Sequence, residues 1–171
     1  EEDETTLSLL NNLALLLERD ERKKEAAEIL ERVVQIRTRV LGEQHDHTMT
    51  SINNLALVYV ALGRFDEAEP LYLKELDFSR RTAGPEHPGT LISMNNLSVL
   101  YIHRGELERA EPLVQEVLEA RTRVLGPDHP YTIESLDTLG NLLATSKRFD
   151  EALAILNDAV ERSHRTLGAD H

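Results

Sequence analysis

The sequence predicts an all-α fold, a short superhelical solenoid of four helix-turn-helix repeats, and three observations carry that prediction. Leu41-Gly42, Ala83-Gly84, Leu125-Gly126 and Leu167-Gly168 recur every 42 residues, and Ala26, Ala68, Ala110 and Ala152 keep the same step, as do Thr6, Thr48, Thr90 and Thr132. A fixed period of this size, without insertions, marks stacked supersecondary units. Leu and Ala are abundant while aromatic residues make up only 4% of the chain, which favours helix over strand. Within each period the apolar residues fall at helical spacing and are interrupted once, the pattern of a hairpin.

The copies span about 5–46, 47–88, 89–130 and 131–171 and read as a single domain, with no linker or low-complexity segment between them. The second copy shows the plan. Ile52, Leu55, Ala56, Tyr59 and Leu62 place a first helix over 50–62, Gly63-Arg64-Phe65 breaks it, and Asp66 is positioned to cap a second helix running to about Ala83. Pro70 lies so close to that start that at most the first intrahelical bond is lost, and Pro112 repeats the placement. Gly84-Pro85-Glu86-His87-Pro88 and Gly126-Pro127-Asp128-His129-Pro130 are compact turns between hairpins. A hairpin with an apolar face must stack on neighbours to bury it, so the four form one array. The chain stops at Gly168-Ala169-Asp170-His171, partway through such a turn, and reads as a fragment of a longer array.

With 31 acidic against 19 basic residues the net charge is −12, which opposes a polyanion and excludes nucleic acid as the expected partner. No apolar run reaches the roughly 18 residues of a membrane span, and the acidic EEDETT start is unlike a signal peptide, so a soluble, cytoplasmic protein is expected, with no membrane partner. The absence of Cys removes disulfides, thiol catalysis and Cys-based zinc sites.

An LNNLA-like first helix, Tyr59 and Tyr101, Gly-Arg-Phe at 63–65, Asp66 to Tyr72 and LGPDHP at 125–130 together resemble the 42-residue tetratricopeptide repeat of kinesin light chains. The resemblance covers essentially the whole chain. It implies a right-handed superhelix whose first helices line a concave groove that binds peptides or other proteins. The outer copies depart from the pattern: Leu17 and Leu143 replace the Tyr, and Glu21 and Lys147 replace the Gly.

Paired amides recur at Asn11-Asn12, Asn53-Asn54 and Asn95-Asn96. On the second copy's first helix, Thr50, Asn53, Leu57 and Val60 share one stripe, which the resemblance turns toward the groove, with Asn54 at its edge. An amide donates and accepts at once, which suits it to grip the main chain of an extended peptide. The competing reading has one Asn of each pair bonding a neighbouring helix. Leu57, Val60, Val99 and Ile102, with Leu15, either give the groove a partly apolar floor or pack against the next repeat. Toward the C-terminal end the stripe becomes Glu134, Asp137 and Asn141, favouring a basic or neutral ligand segment. The peptide-binding set is therefore Asn11, Asn12, Asn53, Asn54, Leu57, Val60, Asn95, Asn96, Val99, Ile102 and Asn141. Arg80, Arg81, Arg121 and Arg123 come late in second helices, where a solvated structural role suits a cation.

Histidines 45, 87, 129 and 171 recur once per copy, too far apart to share an ion, and are expected to stabilise turns. No catalytic residues, metal site or cofactor are expected, since the acids fall on exposed helical faces without a nucleophile motif or phosphate loop. The sequence thus predicts a non-enzymatic scaffold that binds a peptide segment of a partner protein. A structural spacer, or self-association through the array's ends, is the alternative.

Overall fold

The computed structural model describes residues 3–167. Gly168 and His171, the last members of their series, lie outside the described residues, as do Ala169 and Asp170. Eight helices follow one another among the described residues: α1 (Glu4–Arg19), α2 (Lys23–Leu41), α3 (Asp46–Ala61), α4 (Phe65–Thr82), α5 (Pro88–Arg104), α6 (Leu107–Leu125), α7 (Pro130–Thr145) and α8 (Phe149–Leu167). They divide into two compact units, Glu1–Thr82 and Ala83–His171. In the first, α1 pairs with α2 and α3 with α4, and α3 also packs against α1 and α2. In the second, α5 pairs with α6 and α7 with α8, and α7 packs against α5 and α6.

The first helices begin about a turn earlier than their apolar spacing suggests, because the recurring histidines are N-caps. Nδ1 of His45, His87 and His129 accepts the backbone N–H two residues on, at 3.2, 3.1 and 3.2 Å, satisfying one of the free donors of the first turn. Asp3, one period before His45, does the same for α1, accepting the Thr6 N–H at 2.8 Å. Fully buried Thr48, Thr90 and Thr132 donate their hydroxyls to the carbonyls of Gly42, Gly84 and Gly126 at 2.9, 2.7 and 2.8 Å. The turn is thereby tied at both ends. His87→Ala is expected to cost about 1 kcal/mol and His87→Asn to restore most of it; urea midpoints followed by circular dichroism test this, and an unchanged midpoint in His87→Ala would remove the cap from the account.

Second helices start differently from the expectation. α4 begins at Phe65, so Asp66 is a first-turn acid rather than a cap, placed where the helix dipole favours negative charge. Pro70 is accordingly well inside the helix, and the bond its missing N–H removes is the one to the Asp66 carbonyl, not the first. The hairpin turns close with Arg22, Arg64, Glu106 and Arg148 N–H groups donating to the carbonyls of Leu17, Tyr59, Tyr101 and Leu143, the long bond of a Schellman ending. That ending needs a left-handed residue. Gly63 and Gly105 supply it at φ 73° and 74°, and Glu21 and Lys147 adopt it at 60° and 61° despite their side chains, at a cost of about 1 kcal/mol each. The outer hairpins keep the turn after losing the glycine.

Small residues let the two helices of a hairpin approach. Ala14 and Ala56 on the first helices and Ala26, Ala68 and Ala110 on the second are all at 0% exposure. At the register of Ala14 and Ala56 stands Gly140 in α7, where a Cβ would meet Leu156 Cδ2 at 2.5 Å and Cγ at 2.7 Å. Around these contacts the first unit's core gathers Leu7, Leu30, Val33, Ile52, Leu55 and Tyr72, and the second's Leu91, Met94, Leu100, Val114, Val117 and Leu142.

Candidate functional site

The paired asparagines split into two roles. Asn11 is buried and accepts a hydrogen bond from Asn54 Nδ2 at 3.2 Å, joining α1 to α3. Asn95 is buried too; it accepts from the Thr138 hydroxyl at 3.3 Å and donates to Glu134 Oε1 at 3.4 Å, joining α5 to α7. Thr138 holds the register of Asn54, so the two units carry the same link: the first amide of one hairpin meets the second polar residue of the next. Asn11, Asn54 and Asn95 are therefore engaged between hairpins, the contact that the competing reading expected, and Asn11 and Asn95 are buried there. Ile102 is likewise buried, part of the core rather than of an exposed floor.

The remaining members stay accessible. Asn12, Leu57 and Asn141 are exposed, and Asn53, Asn54, Val60, Asn96 and Val99 are half-buried. Leu57 is 38% exposed and Ile92, on the same face of α5, 36%. On α7 the stripe consists of exposed Glu134, Asp137 and Asn141, an acidic surface in contrast to the amide and aliphatic surface of α3.

Sequence reading missed the buried arginines that hold successive hairpins together. Arg37, near the end of α2, is 3% exposed and donates to the His47 carbonyl at 3.1 Å, to Ser51 Oγ at 2.7 Å, to Ser8 Oγ at 2.8 Å and to Glu4. Two periods on, Arg121 is 2% exposed and donates to the Tyr131 carbonyl and to Ser135 Oγ, both at 2.8 Å, with Glu134 at 3.7 Å. Arg121 is thus structural but not solvated. Burial pulls its pKa below the ordinary arginine value, and the nearby Glu134 and Tyr131 partly offset this. Partial burial pushes Glu4 upward, but the hydrogen bond and charge of Arg37, then those of His47, outweigh it and leave the carboxyl below its ordinary value. A signal was present in the sequence, because Arg37 and Ser51, like Arg121 and Ser135, stand 14 residues apart at matching registers.

Arg64 organises the end of the turn between α3 and α4 in the same manner. It forks onto Glu67 at 2.7 and 2.6 Å, reaches Glu31 at 3.3 Å, and lies 3.9 Å from the ring centre of Tyr59. The Tyr59 hydroxyl donates to Glu31 at 2.8 Å, and burial, with Glu31 adding to it, pushes its pKa up to about 12. Among the described residues no group of three His, Asp or Glu side chains is placed to hold a metal ion, and no helix is long and apolar enough to cross a membrane.

A tetratricopeptide repeat model matches residues 5–80, 48–121 and 99–165. The chain belongs to the tetratricopeptide repeat family. Solved structures place it with proteins of the kinesin light chain type. BtubC (BKLC) from P. vanneervenii is 25% identical with a TM-score of 0.82, covering 98% of this chain and 67% of that one. Two structures of the nearly identical TPR-like repeats of a putative kinesin light chain from Podosopora anserina are each 26% identical, with TM-scores of 0.81 and 0.77, covering 96% of this chain and 78% of theirs. No curated protein matches the chain. Family and fold together support a protein-interaction scaffold of helical repeats, a class that is generally non-catalytic.

Proposed function

We propose that the chain binds an extended or helical segment of a partner protein along its first helices, the face that the family resemblance makes a concave groove. The observation that carries this reading is Leu57, a large aliphatic side chain held 38% exposed between the half-buried amides Asn53 and Asn54. An apolar centre rimmed by groups that both donate and accept is the composition of a peptide site. Asn12, Asn53, Asn54, Leu57, Val60, Asn96, Val99 and Asn141 form the proposed contact set, and the acidic side chains of α7 favour a basic or neutral segment there. A cytoplasmic, non-enzymatic setting without nucleic acid goes with this reading and with the net charge of −12.

A variant carrying Leu57→Glu, Asn12→Ala and Asn141→Ala changes only exposed positions. In pull-downs from source-cell lysate read by mass spectrometry it is expected to lose partners at least tenfold, about 1.4 kcal/mol, with helical circular dichroism unchanged. Equal retention by the variant and the wild type would sink the groove reading.

A second reading, self-association through the outer hairpins, has its own support. Leu9, Leu13 and Leu16 on α1 are 65%, 44% and 60% exposed, whereas Ser51, Leu55 and Val58, one period on, are buried. Equal retention in the pull-down together with a mass that rises with concentration in light scattering would favour it.

A further inference from the structure

The second unit contains a cleft of about 330 Å³ formed by α6, α7 and α8, lined by Glu111, Gln115, Leu139, Leu143, Arg148 and Ile155 among others. Its lining has a counterpart in the first unit that carries a tyrosine. Two periods earlier, Leu143 corresponds to Tyr59, Leu139 to Leu55, Gln115 to Glu31, Ile155 to Leu71 and Arg148 to Arg64. In the first unit the Tyr59 ring stands at the position of Leu143, under the Arg64 guanidinium and with its hydroxyl on Glu31, and the cleft left beside it is lined by Ala27, Glu31, Leu62 and Arg64 rather than by the apolar side chains of α3. In the second unit the ring is replaced by the shorter leucine.

The rest of the Tyr59 setting is kept. Arg148 forks onto Glu151 at 2.8 and 2.7 Å and reaches Glu111 at 3.1 Å, reproducing the fork of Arg64 onto Glu67 and its reach to Glu31. The guanidinium is therefore fixed over the cleft by carboxylates on two helices before anything enters. Gln115 presents an amide where Glu31 presents the carboxylate that accepts the tyrosine hydroxyl. The walls contributed by Leu139, Leu143, Ala154 and Ile155 are aliphatic. An aliphatic cavity of roughly 150 Å³ is enough to hold benzene, and a guanidinium set over a ring adds a cation–π attraction that strengthens once water is displaced.

We propose that this cleft is a binding site for a phenol ring, seated on Leu139 and Leu143, faced by Arg148 and hydrogen-bonded through its hydroxyl to Gln115. It is separate from the first-helix stripe, and it restores in the second unit, from outside, the packing that Tyr59 gives the first. The ring can come from a tyrosine of a partner protein or from a small phenolic compound, and the probes distinguish these.

The experiment titrates the intact chain with p-cresol, N-acetyl-tyrosinamide and toluene, reading the methyl resonances of Leu139, Leu143 and Ile155 by NMR. p-Cresol is expected to shift all three at millimolar concentration, with toluene at least fivefold weaker for want of the hydroxyl. Comparable binding of N-acetyl-tyrosinamide points to a partner's tyrosine, and binding of p-cresol alone to a small phenolic compound. Leu143→Tyr is expected to fill the cleft and abolish the shifts of the remaining probes. Gln115→Leu, which leaves the cleft open, is expected to bring p-cresol down to the toluene level. No shift with p-cresol, unchanged binding in Leu143→Tyr, or toluene binding as tightly as p-cresol would overturn the proposal.

Discussion

Arg121→Ala is expected to destabilise the second unit by about 3 kcal/mol. The guanidinium is 2% exposed and makes two direct hydrogen bonds to α7, to the Tyr131 carbonyl and to Ser135 Oγ. Net contributions of hydrogen bonds from a charged donor run to about 1.5–3 kcal/mol each, and truncation also leaves a void where the long stem packed. The loss is moderated because Ser135 can turn its hydroxyl to the Tyr131 carbonyl, which it already meets at 3.0 Å. Arg121→Lys should cost about half as much, because both bonds leave from the one nitrogen Nη1, which an ammonium can imitate, while lysine is shorter and loses the packing of the guanidinium plane. Arg37→Ala removes the equivalent tie between α2 and α3 together with those to Ser8 and Glu4 on α1. The Arg37 and Arg121 changes lie in different units and are expected to add in the double variant. Urea unfolding followed by circular dichroism measures all of them. A loss below about 1 kcal/mol for Arg121→Ala would mean that α7 is held by its apolar contacts alone.

The fold was legible because the period is exact: Gly42, Gly84 and Gly126, or Thr48, Thr90 and Thr132, announce the turns without any alignment. Element boundaries were less so. The apolar spacing of α3 begins at Thr50, but the helix begins where His45 can cap it, and Nδ1 as a cap acceptor is not a residue type that propensity favours. The site was only half legible. Helical geometry places both amides of a pair near one stripe, yet which of them is buried depends on the offset between neighbouring helices, and that offset of 43 residues, seen in Asn11 with Asn54 and Asn95 with Thr138, is a property of packing. The arginines misled for a related reason. A cation in the last turns of a helix is ordinarily solvated, and only the serine 14 residues on reveals that Arg37 and Arg121 turn inward.

Glu75→Val is expected to stabilise the first unit by about 2 kcal/mol. Glu75 is 9% exposed, one carboxylate oxygen accepts the Ser79 hydroxyl at 3.0 Å, and the other is buried without a partner. A buried acceptor left unsatisfied costs about 1–3 kcal/mol, and more when charged. Val33 and Val117 occupy this register in the neighbouring hairpins, both at 0% exposure, so the backbone there accepts valine without rearrangement. Ser79 in turn stands where Arg37 and Arg121 stand. This hairpin has therefore exchanged a buried valine and arginine for a buried glutamate and serine, giving up both apolar burial and the guanidinium that ties the others. Replacing even a buried ion pair with well-packed aliphatic groups is neutral or gains about 1–4 kcal/mol, and the unpartnered oxygen of Glu75 has no attraction to give up. Glu75→Gln should gain less, since a neutral amide is cheaper to bury than a carboxylate but still carries polar atoms to satisfy. The order valine, glutamine, glutamate in urea midpoint is the expected result, and valine falling below glutamate would show that the carboxylate is held by a partner, such as an ordered water, whose loss outweighs the gain.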